Sequence, residues 1–497
     1  MARDNGGIIG KLNTPTTSVA SGVWALEDQY QAQLAGTWPL VYPLTTFNNS
    51  CRFDDGSSDY LTFTPSSNGN RKVFTISLWV KRANLGSAQN MLGSSDSSFG
   101  NGLFLQFQSD DTLRFGFQDP NEFKATSRVF RDVGAWYHIV VGIDVTQSSN
   151  SDKIKIYVNG VQETSFGTDN TVADADKDWN NTQAHSIGRS GAYASQYFDG
   201  YLAEVINIDG QQLTPTSFGG TYPSGIWGPK AYTGTYGTNG FKLNFSDSSA
   251  LGDDTSGNTN DFTANNLTSI DQSTDTPSNN FATMNPLTNN GTLSEGNLKV
   301  VTSTSLATLT TASTVHVSQA KWYVEFKCVS TTSSTNFNIG ITSDPSENIR
   351  SSEYMGQSAD SYGVLGSNGN FYNNNSSVAY MNSFTAGDII GIALDLDNNY
   401  IYFSKNGVWQ NSGDPESGSS GTGGKAITAA SSQSSGVYAF GVGEASGSSS
   451  MTFEINYGNP TFTISSGNSD AEGFGNFEYA VPSGYFALCT KNLAEYG

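Results

Sequence analysis

Trp136-Tyr-His-Ile-Val-Val-Gly-Ile-Asp144, followed after a polar turn by Ile154-Lys-Ile-Tyr-Val-Asn-Gly160, decides the fold. The first run is apolar at successive positions, which reads as a central strand buried on both faces. The second alternates and ends in Asn-Gly, the strongest short-range hairpin signal. Shorter runs of period 2 surround this pair. They are Tyr60-Leu-Thr-Phe63, Phe74–Val80, Leu103-Phe-Leu-Gln-Phe107, Leu113-Arg-Phe-Gly-Phe117 and Tyr201–Ile206. A Ser-Asp-Asp turn separates the third from the fourth. Several short strands with turn signals between them predict an antiparallel β-sandwich.

A second block of the same kind starts near residue 291. Trp322-Tyr-Val-Glu-Phe326 alternates, Ile389-Ile-Gly-Ile-Ala-Leu-Asp-Leu396 is a buried-type run, and Tyr400-Ile-Tyr-Phe403 leads into Asn406-Gly407. Tyr438–Val442 and Met451–Ile455 follow. Because this block has its own Asn-Gly hairpin, the chain is expected to be all-β with two antiparallel sandwiches. Between them, residues 226–290 hold one clean strand, Phe241-Lys-Leu-Asn-Phe245, and then a stretch rich in Asn, Ser and Thr. That stretch reads as a linker lying over the sandwich edges. Residues 1–45 differ. Val19, Val23, Leu26, Tyr30 and Leu34 share one helical face, with Trp24 beside it, Ser21 as N-cap, and Gly36 and Pro39 as the stop. The expected division is therefore 1–45 as a helix-containing arm, 46–225 as the first sandwich, 226–290 as edge strand and linker, and 291–497 as the second sandwich.

Composition narrows the function. The chain has 497 residues and a net charge of −21, and only 14% of its residues are charged, against ~25% in ordinary domains. No basic stripe exists for nucleic acid, and no apolar run approaches the ~20 residues of a membrane span. With 29 Phe, 23 Tyr and 8 Trp, the chain has the aromatics that disordered sequences lack. Three cysteines, Cys51, Cys328 and Cys489, are few, odd in number and far apart, unlike a disulfide framework. The N-terminus carries no apolar core of a signal peptide. A chain with the composition of an extracellular adhesin is thus expected to be made in the cytosol.

The residues carry resemblances. Phe53-Asp-Asp-Gly-Ser-Ser-Asp-Tyr-Leu-Thr-Phe63, the Phe74–Val80 strand, Trp136-Tyr-His-Ile-Val-Val141, Ile154–Gly160 and Phe198-Asp-Gly-Tyr-Leu-Ala-Glu-Val205 resemble a laminin-G-like, concanavalin-type jelly roll. Lys321-Trp-Tyr-Val-Glu-Phe326, Gly387–Leu396, Ile401-Tyr-Phe-Ser-Lys-Asn-Gly407 and Val481-Pro-Ser-Gly-Tyr-Phe-Ala-Leu488 resemble a SPRY (B30.2-like) domain. The tandem, preceded by Gly6-Gly-Ile-Ile-Gly10 and Ala20-Ser-Gly-Val-Trp24, is similar to structural, tail-fibre-like proteins of tailed bacteriophages. That resemblance implies a virion protein assembled in the host cytoplasm, which meets the outside without secretion. It further implies a homotrimeric tail fibre or appendage that binds host surface glycans. The arm would attach it to other virion proteins through Val19, Val23, Trp24, Leu26 and Tyr30. The alternatives are a head decoration or capsid fibre, and a cellular polysaccharide-binding protein.

Catalytic chemistry finds little footing. The three histidines, His138, His185 and His316, are spread along the chain, and His138 sits in a buried-type strand. Neither a histidine metal site nor a Ser-His-Asp triad is supported. Glycosidases need two carboxylates flanking a cleft, and Asp144, Glu204 and Glu325 each stand alone in the sequence. The expectation is no enzyme and no obligatory cofactor. Calcium has one candidate, the acidic loop of Asp253, Asp254 and Asp261, whose other reading is a solvated turn. For glycans, aromatics beside Asn and Ser suggest stacking platforms on loops. The candidates are Tyr362, Asn370, Phe371 and Tyr372 in the second sandwich, and Trp179, Tyr193 and Tyr197 in the first.

Overall fold

The computed structural model describes residues 31–32, 46–95, 102–118, 121–191, 195–222, 225–302, 308–331, 336–344, 354–445 and 450–497. The chain is all-β, built as two sandwiches. The proposed arm residues Val19, Val23, Trp24, Leu26 and Tyr30 lie outside the described residues, as does Tyr193; residues 31–32 are helical.

The first sandwich has two eight-stranded sheets among the described residues. One runs Val161–Gln162, Ile154–Val158, Tyr137–Asp144, Val73–Arg82, Gly200–Asp209, Ser50–Phe53 and Gln272–Ser273, with Phe241–Leu243 also on Gly200–Asp209. The Tyr137–Asp144 strand is central and buried on both sides. Ile139, Val141 and Ile143 point into the main core. His138 lies on the other side, stacked between Trp79 and Trp227 at centroid distances of 4.6 and 6.0 Å. The Asn159-Gly160 turn carries φ of 49° and 80°, as a two-residue hairpin loop requires. The second sheet runs Phe166–Asp169, Glu122–Val129, Thr112–Phe117, Leu103–Phe107, Gln89–Ser95, Ala184–Ile187, Tyr60–Phe63 and Thr263–Asn265.

Residues 226–290 differ from a linker. Phe241–Leu243 pairs with the Gly200–Asp209 strand, Thr263–Asn265 with Tyr60–Phe63, and Gln272–Ser273 with Ser50–Phe53. Phe241, Leu243, Phe245, Leu251 and Phe262 enter the first core. The polar residues between them satisfy turns, while the sparse apolar ones close both sheet edges. Beyond them, Ala282 and Met284 belong to the second core, so the boundary falls between Asp275 and Phe281.

Among the described residues, the second sandwich combines a nine-stranded and a six-stranded sheet. Lys321–Thr331 is flanked by Ile389–Asp395 and Met451–Asn456. Phe486–Ala487 adds in parallel at Trp322 and Tyr323. Phe281 bridges to Cys489, tying the start of the domain to its end. Cys51, Cys328 and Cys489 are free and buried; burial pushes their thiols above the ordinary range.

The two sandwiches meet along a polar seam. Lys81 Nζ donates to Asp275 Oδ2 at 2.7 Å, to Asn280 Oδ1 at 2.7 Å and to the Phe281 carbonyl at 2.9 Å. Arg52 Nε reaches Glu295 Oε2 at 3.2 Å, and Tyr201 donates its hydroxyl to the Gly296 carbonyl at 2.9 Å. Glu295, Gly296 and Asn297 form the hairpin tip between Thr292–Ser294 and Lys299–Val301, all three with positive φ. That tip is the piece of the second sandwich that docks under the first.

Candidate functional site

Alternation along three neighbouring strands of the first sandwich builds a groove on the sheet face turned away from the core. Leu103, Leu105 and Phe107 point inward, as do Leu113, Phe115 and Phe117. Phe104, Gln106 and Arg114 therefore point outward. Asn90 is paired with Gln106, and Gln106 with Arg114. An amide, an amide and a guanidinium thus stand side by side across three strands, spaced ~4.8 Å apart by the sheet itself. The groove over them encloses about 150 Å³ and is completed by Ser94, Gln118, Ser190 and Gln196.

The row is held rigidly. The Arg114 guanidinium lies 4.4 Å from the Phe104 ring centroid and 3.7 Å from that of Phe123. Such stacking favours a planar cation. Burial pulls the Arg114 pKa down from its ordinary value. Asn90 donates through Nδ2 to Gln196 Oε1 at 2.7 Å. Yet Asn90 Oδ1 and Arg114 Nε are buried with no hydrogen-bond partner among the described residues. A buried polar atom without a partner costs ~1–3 kcal/mol. The amides a ligand can reach from solvent are those of Gln118 and Gln196, which are exposed at the groove's rim. Among the described residues the lining holds no carboxylate. Its amides, hydroxyls and guanidinium can bind and orient a neutral polar molecule.

The sequence candidates distribute unevenly. Trp179 is fully buried, donates through Nε1 to Asn207 Oδ1 at 2.9 Å, and packs on His185. It is a core residue and not an exposed platform, because its indole N–H finds a partner inside the sheet. Tyr362 and Phe371 are likewise buried. The Tyr362 hydroxyl is tied to Thr428, and Phe371 packs on Tyr380 and Phe403. Asn370 and Tyr372 are half-buried on the strand Asn370–Asn373, next to the edge strand Ser376–Ala379, and Tyr372 meets Tyr354 edge-on. Tyr197 is half-buried beside Tyr60, whose other neighbour is Arg189. Tyr197 is next in the chain to Gln196, which lines the groove.

The acidic loop is also corrected. Asp254 accepts from the amides of Lys242, Ser256 and Asn260 and from the Ser256 hydroxyl, at 2.8–2.9 Å. Asp261 accepts from the Asp254 amide, and Asp253 is exposed. Asp254 spends its oxygens stapling the loop, and the three carboxylates are not gathered into one ligand set among the described residues. The groove itself was missed, although one signal was available. Folding Leu103–Phe107 onto Leu113–Phe117 across their turn places Gln106 opposite Arg114.

Residues 55–215 match the family described as the concanavalin A-like lectin/glucanases superfamily, and residues 321–417 match the SPRY domain. No curated protein matches the chain. Among solved structures, the chain is similar to the SPRY domain of human HERC1 (18% identity, 32% of this chain and 81% of that one, TM-score 0.23). It is also similar to a carbohydrate binding protein from Bacteroides ovatus (16% identity, 46% and 60%, TM-score 0.30). A third is the heptameric SAP-like pentraxin of Limulus polyphemus (17%, 34% and 78%, TM-score 0.26). The chain carries a concanavalin A-like domain followed by a SPRY domain.

Proposed function

We propose that the chain is a non-catalytic carbohydrate-binding protein whose sugar site is the groove over Asn90, Gln106 and Arg114. The observation that carries this reading is the groove's polar lining, in which Asn90, Gln106 and Arg114 stand beside Ser94, Gln118, Ser190 and Gln196. A neutral glycan supplies hydroxyls that both donate and accept, and so matches a lining of amides, hydroxyls and a guanidinium. The groove is smaller than the ~300–1,000 Å³ of sites that engulf a ligand, which suits one or two rings of a longer chain. The phage-like resemblance of the whole chain supports a setting on the outside of a virion. There a homotrimer, attached by residues 1–45, would present the groove to host surface glycans.

A glycan array probed with the purified chain tests the site. Binding should fall at least tenfold in Gln106→Ala and in Arg114→Ala, with unfolding midpoints near wild type for Gln106→Ala. Wild-type binding in both variants would remove the groove from consideration. Deleting residues 1–45 should abolish incorporation into particles while both sandwiches stay folded. Unchanged incorporation would remove the arm's attachment role.

A further inference from the structure

A buried lysine meets a side-chain amide at the seam. Lys81 follows Trp79 by two positions on the Val73–Arg82 strand, and Tyr201 stands opposite it on the neighbouring strand. Its stem therefore rises between aromatic rings. Lys81 is 1% exposed and Asp275 is fully buried. Lys81 Nζ is shared between Asp275 Oδ2 and Asn280 Oδ1, both at 2.7 Å. Asp275 Oδ1 is taken up by Trp136 Nε1 at 2.9 Å and by the Phe281 amide at 3.3 Å, so Oδ2 is the oxygen that serves the amine. Asn280 donates through Nδ2 to the Gly134 carbonyl. Its backbone amide donates to the Thr490 hydroxyl at 2.9 Å, and its carbonyl accepts from the Thr490 amide at 2.8 Å. An amine, a carboxyl and a carboxamide are thus fixed within hydrogen-bond reach of one another, the first two out of water.

Each member suits one task in making an amide. An ammonium and a carboxylate lose their solvation when buried together, and passing a proton from Lys81 to Asp275 relieves both charges at once. Burial pushes the Asp275 carboxyl up, against the pull of Lys81, which is the direction this transfer requires. A desolvated, neutral lysine amine is a nucleophile. The Asn280 carbonyl carbon lies one bond, ~1.2 Å, beyond the oxygen that Nζ already touches, so a turn of the carboxamide presents that carbon to the amine. Holding the two groups side by side turns a sluggish encounter into a reaction within one molecule.

We propose that Lys81 and Asn280 join through a covalent amide bond in the folded chain, with Asp275 carrying the proton. Lys81 Nζ attacks Asn280 Cγ and the N–C bond forms. The Cγ–Nδ2 bond breaks and ammonia leaves. Asp275 gives its proton to the departing nitrogen and takes one from Nζ, so it ends as it began and no further reactant is consumed. The ion pair at the seam is the state from which the reaction starts. The product staples the Val73–Arg82 strand of the first sandwich to the entry of the second, where Asn280 is paired with Thr490. It closes the long loop from residue 81 to residue 280, which removes conformations from the unfolded chain. With Cys51, Cys328 and Cys489 all free, this is a cross-link that needs no oxidant.

Intact-mass spectrometry of the full chain, incubated after purification, tests this. The mass should fall by one ammonia per chain, and proteolysis should release Lys81 and Asn280 in a single branched peptide. Lys81→Met, Asn280→Ala and Asp275→Asn should each keep the full mass, with circular dichroism reporting whether the sandwiches stay folded. Asn280→Asp should give the same branched peptide with loss of water in place of ammonia, a readout that a purely structural contact does not produce. The unfolding midpoint of Asn280→Ala should lie below that of the wild type. A full mass with no branched peptide in the wild type, which no folding defect can explain, would overturn the proposal. So would an ammonia loss that persists in Lys81→Met, and an undiminished reaction in Asp275→Asn would refute the part given to Asp275.

Discussion

In the first sandwich, four buried cations are held in ion pairs. Arg52, Lys81, Arg82 and Lys177 all lie inside the fold, against Asp271 and Glu295, Asp275, Asp111 and Glu122 respectively. In the second, the fully buried Glu325 is held by neutral groups. It accepts from the amides of Glu478 and Tyr479, from Asn456 Nδ2 and from the Tyr323 hydroxyl. The difference follows from reach. Glu325's partners all belong to its own domain, so its bonds fasten one sheet to one loop. Lysine and arginine stems are long and carry several donors, so Lys81 and Arg52 bridge from the first domain to carbonyls and carboxylates of the second. Of the four, the Lys81 and Arg52 pairs lie at the seam and tie the two domains together.

Breaking the seam should have the largest effect. Lys81→Met strands Asp275, whose carboxyl burial pushes up and Lys81 pulls back. The expected loss is ~3–5 kcal/mol in denaturant unfolding. Lys81→Met combined with Asp275→Leu should recover much of it; a double variant as weak as the single would contradict the pairing. Glu325→Gln should cost less, ~1–3 kcal/mol, because two of its four donors then face an amide N–H₂. A loss above that of Lys81→Met would reverse the comparison.

The histidines sharpen it along the pH axis. Burial holds His138 down to about 3 and His185 to about 4. Both lie in the first sandwich. A base whose folded pKa is depressed stabilises fully above its unfolded value of ~6.5, and that contribution is lost as pH falls toward the folded pKa. Each should cost ~1 kcal/mol between pH 6.5 and 5.5. Nitrogen chemical shifts should show both rings neutral throughout that window. Trp227 Nε1 donates to His138 Nδ1, which places the His138 proton on Nε2, toward Ser77. The Asn180 amide donates to His185 Nε2, which places the His185 proton on Nδ1. Charging of either near pH 6.5 would contradict its burial. The smallest effect belongs to the edge of the second sandwich. Asn374 and Asn375 turn the Asn370–Ala379 hairpin with φ of 50° and 55°. Asn374→Ala should cost ~1 kcal/mol, and an unchanged melting midpoint would show that the edge contributes nothing.

The sequence was legible where neighbours along the chain decide the environment. Trp136–Asp144 and the Asn159-Gly160 turn are read correctly because apolar period and turn chemistry are local. His138 is read as a core residue for the same reason. Trp179, Tyr362 and Phe371 sit among polar neighbours and read as exposed. Their burial depends on Asn207, Thr428 and Phe403, all distant in sequence. The strands at Phe241–Leu243 and Thr263–Asn265 are short and partly polar, and only their partners Val205–Asn207 and Tyr60–Thr62 make them strands. The groove needs three strands in register at once. Gln106 and Arg114 can be aligned by hand across one turn, but Asn90 arrives through a bulge between Asn90 and Leu92, which no periodicity announces.

The bridge from Phe281 to Cys489 sets an order on synthesis. The first sandwich has every strand it needs once Gln272–Ser273 has emerged from the ribosome. The second has its opening segment then, and waits for Phe486–Cys489 to close it. At ~5–20 residues per second, that wait is on the order of ten to forty seconds. During it the hairpin that covers Arg52 and Tyr201 is already made but lacks the Met451–Asn456 strand against which Lys299–Val301 pairs. The joint between the sandwiches is therefore completed late, by residues far along the chain from those it joins.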